Sequence, residues 1–346
     1  MFLKDNEECV TVSVDSLRNL SMIVLQTHGL DVQEARMVTD EIMDAELRGR
    51  TTHGIMRLLR ILDEINQRKG EIHIVHENSY TALVEGGDNL GSVVTHYCFH
   101  LAIEKASASG IAVIGCRNKF TFITPGYYAR MIAKKDLVAI LVSSSGEHVA
   151  PWGGIDPILG TNPLAFAFSS ETEPIVGDLA TAVLPSLDIR EAEKQKKPIP
   201  LNTAFDRLGN LTTNPNEALE GAQLVFGGYK GYCVNLLVEL LSSSLIGIDK
   251  SANQNQKCGM LFIVINPNSF GTIEAFKHNV SRLTERIKSS RKAGGVEEIW
   301  VPGDRSKIRL DKTIKMGVQV PKTLLSNLRT LSQKNSVYKK DEQHSS

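Results

Sequence analysis

One short segment, residues 46–57, gathers side chains that could handle an anionic substrate and a proton. Its three arginines are Arg48, Arg50 and Arg57. A guanidinium group is planar and can bind a carboxylate through two parallel hydrogen bonds. The segment also holds His53, whose side-chain type has an unperturbed pKa of about 6.5, near neutrality, and the Thr52 hydroxyl could orient this ring. The alternative is a solvated basic loop between two helices.

A second segment, Gly227–Tyr232, reads Gly-Gly-Tyr-Lys-Gly-Tyr and precedes an apolar stretch. Flexible backbone before a helix N-terminus, with Lys230 beside it, could bind a phosphate group. Glycines before a helix are also typical of a simple turn. Elsewhere, the apolar run 137–143 predicts a strand, and the small residues 143–146 at its end would let the backbone approach a ligand closely.

Several nucleotide and nucleophile motifs are missing from the sequence. It contains no Gly-x-Gly, no Gly-x-x-x-x-Gly-Lys-Ser/Thr and no Gly-x-Ser-x-Gly. A Rossmann dinucleotide site, a P-loop and a nucleophile elbow are therefore excluded. His96, His100 and Glu104 would share one face of a helix, but we expect this face to be the solvated side and predict no metal site.

The elements that position these residues follow from the apolar pattern. Apolar residues recur at helical spacing between residues 14 and 47, with Asp31 as an N-cap, and again over 55–67, so the first 70 residues should be helical. Beyond them, short β-rich pieces alternate with helices, and a strongly apolar helix is predicted over 231–245. We treat the polar, lysine-rich residues 187–216 as a long surface excursion.

These elements predict the organisation of the chain. Residues 1–75 should form a helical domain, which the segment 290–330 could join. Residues 76–289 should form an α/β domain. The polar residues 334–346 are expected to be a disordered tail.

Composition excludes several partners and compartments. The 39 basic and 39 acidic residues give a formal net charge of zero, so no overall field favours nucleic acid or an anionic membrane surface. The five cysteines are scattered and never form Cys-x-x-Cys, which argues for a reducing compartment and against a disulfide framework. No apolar run approaches the roughly 18 residues that span a bilayer. We therefore predict a cytoplasmic protein without a membrane or nucleic-acid partner.

A series of short strings over residues 12–325 resembles one family. The strings are Arg48-Gly49, Thr52-His53-Gly54 with Arg57, Ala150 to Gly154, Gly160 to Ala167, Asp178-Leu179-Ala180-Thr181, Thr212 to Pro215, Gly227 to Tyr232, Ile265-Asn266-Pro267 and Val301-Pro302-Gly303. By their order and spacing the chain is identified as similar to the type 2 malate/L-lactate dehydrogenase family. That family also includes ureidoglycolate, sulfolactate and diketogulonate dehydrogenases and cyclic-imine reductases.

The resemblance implies a fold and an activity. The fold is a non-Rossmann α/β fold, with a mixed-sheet cofactor domain over residues 76–289 and a helical N-terminal domain. Members of the family are typically homodimers with sites near the subunit interface. The activity is hydride transfer between NAD or NADP and a small carboxylate substrate, a 2-hydroxy or 2-oxo acid such as malate or lactate.

The resemblance also implies roles for particular residues. His53 would donate or accept the proton with Thr52 as its relay partner. The implied substrate ligands are Arg48, Arg57 and Thr121. The implied cofactor ligands are Ser145, Asn162, Asp178, Leu179, Ala180 and Lys230.

Two departures from the family pattern leave alternatives open. Thr121 takes the place where many members carry a histidine, and a hydroxyl cannot act as a base at neutral pH. Asp188 takes the place of a lysine, which reverses a local charge. The chain could therefore be a weakened or inactive dimeric member with a binding or regulatory role. A further alternative is a cyclic-imine reductase, since an imine needs less help from a second histidine.

Overall fold

The computed structural model of the protein describes residues 8–119, 124–250 and 258–333. They fall into two compact units, one within Met1–Arg68 and Arg305–Ser346 and the other within Lys69–Asp304. The helices are α1 (Val14–Thr27), α2 (Val32–Leu47), α3 (Arg57–Ile65), α4 (Gly91–Ser109), α5 (Pro125–Ala133), α6 (Ser186–Gln195), α7 (Pro215–Glu220), α8 (Tyr229–Ser242), α9 (Ile273–Lys288), α10 (Asp304–Met316) and α11 (Lys322–Gln333). The strands are β1 (Cys9–Val12), β2 (His73–Glu77), β3 (Thr81–Asn89), β4 (Ile111–Lys119), β5 (Val138–Ser143), β6 (Leu164–Phe168), β7 (Ile175–Leu179), β8 (Ala204–Phe205), β9 (Ala222–Gln223), β10 (Cys258–Ile265) and β11 (Val318–Pro321).

The first unit is mainly helical. Helix α1 packs against α2 and α11, and its buried residues include Leu17 and Val24. The predicted N-cap of α2 is confirmed, because the Asp31 carboxylate accepts the Glu34 N–H at 2.8 Å. The prediction that the first 70 residues are entirely helical is wrong at β1, which pairs antiparallel with β11. Its partner strand lies some 300 residues away in sequence, so no local pattern reveals the pairing.

The second unit is built on a seven-stranded sheet with the order β2-β3-β4-β10-β5-β6-β7. Strands β3 and β4 are parallel, and each other neighbouring pair is antiparallel. This mixed sheet confirms the predicted non-Rossmann α/β fold. A Rossmann fold would instead be mostly parallel and would carry a glycine-rich turn after its first strand.

Alternation along the strands gives the sheet two apolar faces. Residues such as Ile114, Leu141 and Phe262 lie in one cluster with α4 and α5 residues, among them Phe99 and Tyr128. Their neighbours in sequence point the opposite way: Val142 and Leu261 share a second cluster with Val238 of α8. Helices thus cover both faces, which is why β5 and β10 read as continuous apolar runs.

The interpretation of residues 187–216 as a surface excursion is wrong. The segment begins in helix α6, and α6 packs against α7. The small core that they form contains Ile189, Ala192, Ile199, Ala204 and Ala218. Its short apolar runs are separated by lysines and turns, so helical periodicity is weak in the sequence. Among the described residues, no helix is both long and apolar enough to cross a membrane.

Candidate active site

The segment that carries His53 is positioned by the way α2 ends. Gly49 adopts a φ of +79°, and its N–H donates to the Glu46 carbonyl at 2.9 Å. The next N–H, from Arg50, donates to the Ala45 carbonyl, also at 2.9 Å. This pair of bonds is a Schellman motif, which requires a residue that tolerates the left-handed region. The Arg48-Gly49 string therefore reverses the chain at the end of the helix.

A single turn of 3₁₀ helix, Thr51–His53, follows this reversal. The Thr52 Oγ1 and His53 Nδ1 atoms lie 3.1 Å apart, a hydrogen-bonding distance. This contact uses one nitrogen of the imidazole and orients the ring, so proton exchange with a ligand would fall to Nε2. The pairing of Thr52 with His53 that the resemblance implies is present in the geometry.

The surroundings of His53 favour its neutral form. Burial, together with the positive charges of Arg50 and Arg57, lowers the pKa of His53 to about 4. At neutral pH the imidazole therefore carries no charge and can accept a proton. Arg50 is absent from the predicted ligands, yet its charge acts on the ring; the signal that could have found it is its place three residues before His53.

Two of the arginines are held by carboxylates. Arg57 is buried, and its Nη2 lies 3.5 Å from Oε1 of the equally buried Glu64. Arg48 donates from Nε to the Asp44 carboxylate at 2.9 Å on the last turn of α2. Each guanidinium is thus fixed in direction, while part of its charge is compensated.

Beneath the His53 turn lies a buried acid that the sequence reasoning missed. The Glu46 carboxylate accepts the Ile55 N–H at 2.8 Å. Burial raises the pKa of Glu46 to about 7, although the Ile55 N–H opposes this shift. A Cβ atom at Gly54 would overlap this carboxylate, so the glycine that follows His53 leaves room for the acid. A glutamate seven residues before His53 is the only sequence signal of this contact.

In the second unit, Ser145 and Asn162 belong to one buried polar network. The Ser145 Oγ accepts the Thr161 N–H at 2.8 Å, and the Ser145 N–H donates to Asn162 Oδ1 at 3.2 Å. Asn162 is fully buried, and its Nδ2 donates to Asn235 Oδ1 at 2.9 Å and to Glu239 Oε2 at 2.8 Å. The side chain of Asn162 therefore bonds within the fold.

The same network continues to the end of α8 and beyond it. Asn235 Nδ2 donates to the Gly160 carbonyl at 2.8 Å and to Thr181 Oγ1 at 2.9 Å. Lys250 donates to the Ser145 carbonyl at 2.9 Å and forms an ion pair with Glu239 at 2.8 Å. The loops that carry two of the resembling strings, Gly160 to Ala167 and Asp178 to Thr181, are thereby joined to α8 by hydrogen bonds.

Asp178, Leu179 and Ala180 stand at the end of β7 and just after it. The Asp178 carboxylate accepts the Gly126 N–H at 3.2 Å in the first turn of α5, where a negative charge is favourable. A Cβ at Gly126 would overlap this carboxylate. The Leu179 side chain is exposed, and Ala180 is half-buried. Asp178 therefore has a structural role whatever else it contacts.

Lys230 lies exposed in the first turn of α8. Gly227 and Gly228 adopt φ values of +60° and +62°, which other residues rarely adopt. A Cβ at Gly231 would overlap the Phe226 carbonyl oxygen. The glycines thus shape a tight entry into the helix, and Lys230 stands beside its N-terminal amide groups.

Two further sequence predictions have different outcomes. Thr121 lies outside the described residues. Asp188 stands in the first turn of α6, where a negative charge is favourable, and burial raises the pKa of Asp188. The position of Asp188 at a helix N-terminus therefore explains why an acidic residue fits here.

The histidines of α4 do meet, because Nε2 of His96 and Nε2 of His100 lie 3.0 Å apart. That distance fits a hydrogen bond between two rings on the exposed side of the helix. Within the described ranges, no group of three or more His, Cys, Asp or Glu residues is arranged to hold a metal ion.

Comparisons with known proteins give consistent matches over nearly the whole chain. Residues 12–329 match the family described as malate/L-lactate dehydrogenase. A malate/(S)-sulfolactate dehydrogenase of Methanothermus fervidus is 34% identical over 333 residues, which cover 93% of this chain and 97% of that protein. An L-sulfolactate dehydrogenase of Methanocaldococcus jannaschii is 36% identical over 91% of this chain and 94% of its own length.

The fold is shared with solved structures. The malate dehydrogenase of Pyrococcus horikoshii OT3 superposes with a TM-score of 0.84 at 32% identity, covering 96% of this chain and 98% of that one. The family match covers nearly the whole chain, and so do the alignments with these relatives. This protein belongs to the malate/L-lactate dehydrogenase family.

Proposed function

We propose that the protein is an NAD(P)-dependent oxidoreductase that interconverts a small 2-hydroxy acid and its 2-oxo acid, with His53 as the general acid and base. The observation that carries this proposal is a half-buried, neutral imidazole oriented by Thr52 and flanked by the charges of Arg50 and Arg57. A positioned acid or base contributes roughly a hundredfold to ten-thousandfold to such a proton transfer.

The depressed pKa of His53 suits the oxidation direction. A bound nicotinamide would supply the hydride-transfer chemistry at the carbon that bears the hydroxyl or carbonyl oxygen. His53 takes the hydroxyl proton at Nε2 in one direction and returns it in the other. An incoming carboxylate would offset the charges of Arg50 and Arg57 and raise the pKa of His53 from about 4 toward its usual value. Substrate binding would thereby prepare the ring for both directions.

We further propose that the substrate carries two acidic groups. Arg50 and Arg57 both act on His53, so two guanidiniums lie within electrostatic range of the proposed reacting oxygen. A monocarboxylate such as lactate would engage only one of these two guanidiniums. The relatives named above act, by their names, on malate and sulfolactate, which each carry a second acidic group. A C4 dicarboxylate or its sulfonate analogue is therefore the favoured class.

A nicotinamide cofactor follows from the dehydrogenase family, and the residues of the second unit fit its phosphates. Gly227 leaves open space, since a Cβ there would meet only the Gly231 N atom, at 4.0 Å. Lys230 and the first amide groups of α8 can offer positive charge. We propose that these residues, with Ser145 and Ala180, hold NAD or NADP. The roles of Leu179, of Asp178 and of the buried Asn162 would be to shape the surrounding backbone.

We also propose that the protein is a cytoplasmic homodimer. Helix α8 presents an exposed apolar stripe, Tyr229, Leu237 and Leu240, and Trp152, also exposed, packs near Gly228 at its start. Water is a poor solvent for so many clustered apolar groups, and a second copy could cover them. None of the five cysteines, all of which lie among the described residues, forms a disulfide, which suits a reducing compartment.

The test is a titration followed by turnover assays. Fluorescence of NADH and of NADPH should report binding, and their oxidation should be followed with oxaloacetate, sulfopyruvate, pyruvate and a cyclic imine carboxylate. We expect kcat/KM for the two diacids to exceed that for pyruvate by at least about tenfold, the equivalent of one well-placed ionic contact. If the protein binds neither NADH nor NADPH, the proposed oxidoreductase function is refuted. Binding without turnover on the whole panel would favour the non-catalytic alternative.

One variant tests the proposal that the substrate carries a second acidic group. Arg50→Met should lower kcat/KM for oxaloacetate by about tenfold more than for pyruvate, because it removes a charge that only the diacid uses. Arg36→Met, which alters an exposed arginine on α2, is the matched control. Equal losses on both substrates would remove Arg50 from the substrate proposal.

A further inference from the structure

A single side chain closes the segment that carries His53. Glu46 is the last residue but one of α2, and the Schellman motif then turns the chain back. Nine residues later, the Ile55 N–H donates to Glu46 Oε2 at 2.8 Å. The Glu46 carboxylate therefore joins the two ends of a loop that contains Arg50, Thr52 and His53.

The packing around this carboxylate leaves it little freedom. Glu46 is only 6% exposed, and Gly54 lies against it so closely that no side chain would fit between them. Within the loop, the His53 N–H donates to the Arg50 carbonyl at 2.9 Å and the Gly54 N–H to the Thr51 carbonyl at 3.2 Å. These short-range bonds fix the turn itself, and Glu46 fixes the turn to the helix.

We propose that Glu46 is a positioning residue for His53: its buried carboxylate holds the 50–55 loop in the geometry in which Thr52 meets the His53 ring. This inference rests on the proposed function of His53. A carboxylate accepts a backbone N–H about twice as strongly as a neutral acceptor does. Loss of that charge loosens the loop without removing a group that touches substrate.

Protonation of Glu46 gives this arrangement a pH dependence. The pKa of Glu46 is raised to about 7 by burial, whereas the pKa of His53 is lowered to about 4. In the free enzyme Glu46 therefore becomes protonated well before His53 as the pH falls. The bond from the Ile55 N–H then weakens, because a carboxylic acid accepts less strongly than a carboxylate, although Glu46 stays buried and the fold as a whole is not weakened. An acid limb near pH 7 in kcat/KM, which reports the free enzyme, is assigned to Glu46. Other charged or titratable groups surround Glu46 on each neighbouring element. They are Asp44 on α2, Arg48 at the C-cap of α2, Arg50 and His53 on the loop, Arg57 and Glu64 on α3, and Arg309 on α10, which lies beside Gly49.

The deciding experiment compares pH profiles of kcat/KM for the wild type, Glu46→Gln and Glu46→Ala, because this ratio reports the free enzyme. Glutamine keeps the shape and a neutral acceptor, so we expect its kcat/KM to match the low wild-type plateau at all pH values, with the limb near pH 7 abolished. Alanine removes the acceptor and should lower kcat about tenfold to a hundredfold with KM nearly unchanged, because small misplacements of a catalytic group have effects of that order. Glu34→Gln, on the same helix and paired with Arg68, is the control that should keep the wild-type limb.

A second readout does not depend on turnover. Hydrogen exchange of the peptide amides of residues 50–57, corrected for intrinsic rates, should quicken below pH 7 in the wild type. In Glu46→Gln it should be fast at all pH values. If the wild type shows this pH-dependent protection but no hydroxy acid is oxidised, the proposed function fails while the positioning by Glu46 stands. An unaltered limb near pH 7 in Glu46→Gln, or equal protection in both proteins, would overturn the role of Glu46.

Discussion

The His53 loop and the buried network around Asn162 both coincide with strings that resemble the family, yet their physical characters differ. The loop holds titratable groups whose pKa values are shifted in opposite directions, with Glu46 raised and His53 lowered. In the network, the Asn162 side chain donates to both Asn235 and Glu239 inside the second unit. Similar sequence signals thus mark the residues proposed to perform chemistry in one region and residues that hold the backbone in the other.

The largest effect that tests this contrast is expected at His53. His53→Ala removes the proposed acid and base, so turnover should fall about a hundredfold to ten-thousandfold while the affinity for NAD(P)H changes little. Steady-state kinetics and fluorescence titration measure the two quantities. His278→Ala, an exposed histidine paired with Glu171, is the matched control. Unchanged turnover in His53→Ala would show that the proton is handled elsewhere.

In the network, the expected loss is one of stability. Asn235 is fully buried and bonds to Gly160, Thr181 and Asn162. Asn235→Ala leaves buried polar groups unsatisfied and should lower the free energy of unfolding by about 3 kcal/mol, since each such group costs about 1–3 kcal/mol. Urea unfolding measures this loss, with the exposed Asn279→Ala as control. If the two variants are equally stable and only the nucleotide affinity of Asn235→Ala falls, the network is a binding site. The proposed difference between the His53 loop and the network would then be wrong.

A smaller effect is expected at Lys230, which is exposed at the start of α8. Lys230→Ala should raise the Kd for NAD(P)H about threefold to tenfold without altering the unfolding midpoint, because a single exposed charge contributes about 1 kcal/mol. The effect should shrink as salt is added. The exposed Lys194→Ala serves as comparison. A Kd equal to that of the wild type would remove Lys230 from the cofactor site.

The smallest effect concerns pH and stability. The pKa of His53 falls from 6.5 in the unfolded chain to about 4 in the fold, so its contribution to stability is lost as pH drops between these values. The pKa of Glu46 rises from 4.5 to about 7, so its contribution is lost as pH rises across that window. The two trends oppose each other between pH 4.5 and 6.5.

Variants should separate these trends. Relative to the wild type, Glu46→Gln should gain stability as pH rises from 4.5 to 6.5, and His53→Asn should lose it. Thermal unfolding at several pH values measures both differences. The same sign of change in the two variants would mean that one of the assigned pKa shifts is wrong.

Local pattern and resemblance predict much of this molecule. Helical spacing predicts α2 and α3, and the adjacency of Thr52 and His53 already indicates their contact. The missing glycine fingerprint argues only against a Rossmann fold. The mixed sheet itself is predicted by the family resemblance. Each of these features depends on neighbours in sequence or on motifs with fixed spacing.

The features that escaped prediction depend on distant parts of the chain. Glu46 meets Ile55 only because Gly49 reverses the chain between them. The network joins Ser145 to Lys250 across more than a hundred residues. Strand β1 pairs with β11 near the other end of the described chain. No periodicity within a short window contains such information.

The fit of Gly54 against Glu46 has an evolutionary consequence. Because a side chain at position 54 and a glutamate at position 46 compete for one space, neither position is free to vary alone. A lineage that acquired alanine at 54 would first need a smaller residue at 46, and would then carry its proton-transfer loop on a different support. The two positions should therefore show epistasis, and an ancestral or designed sequence that changes one of them should be checked for the other.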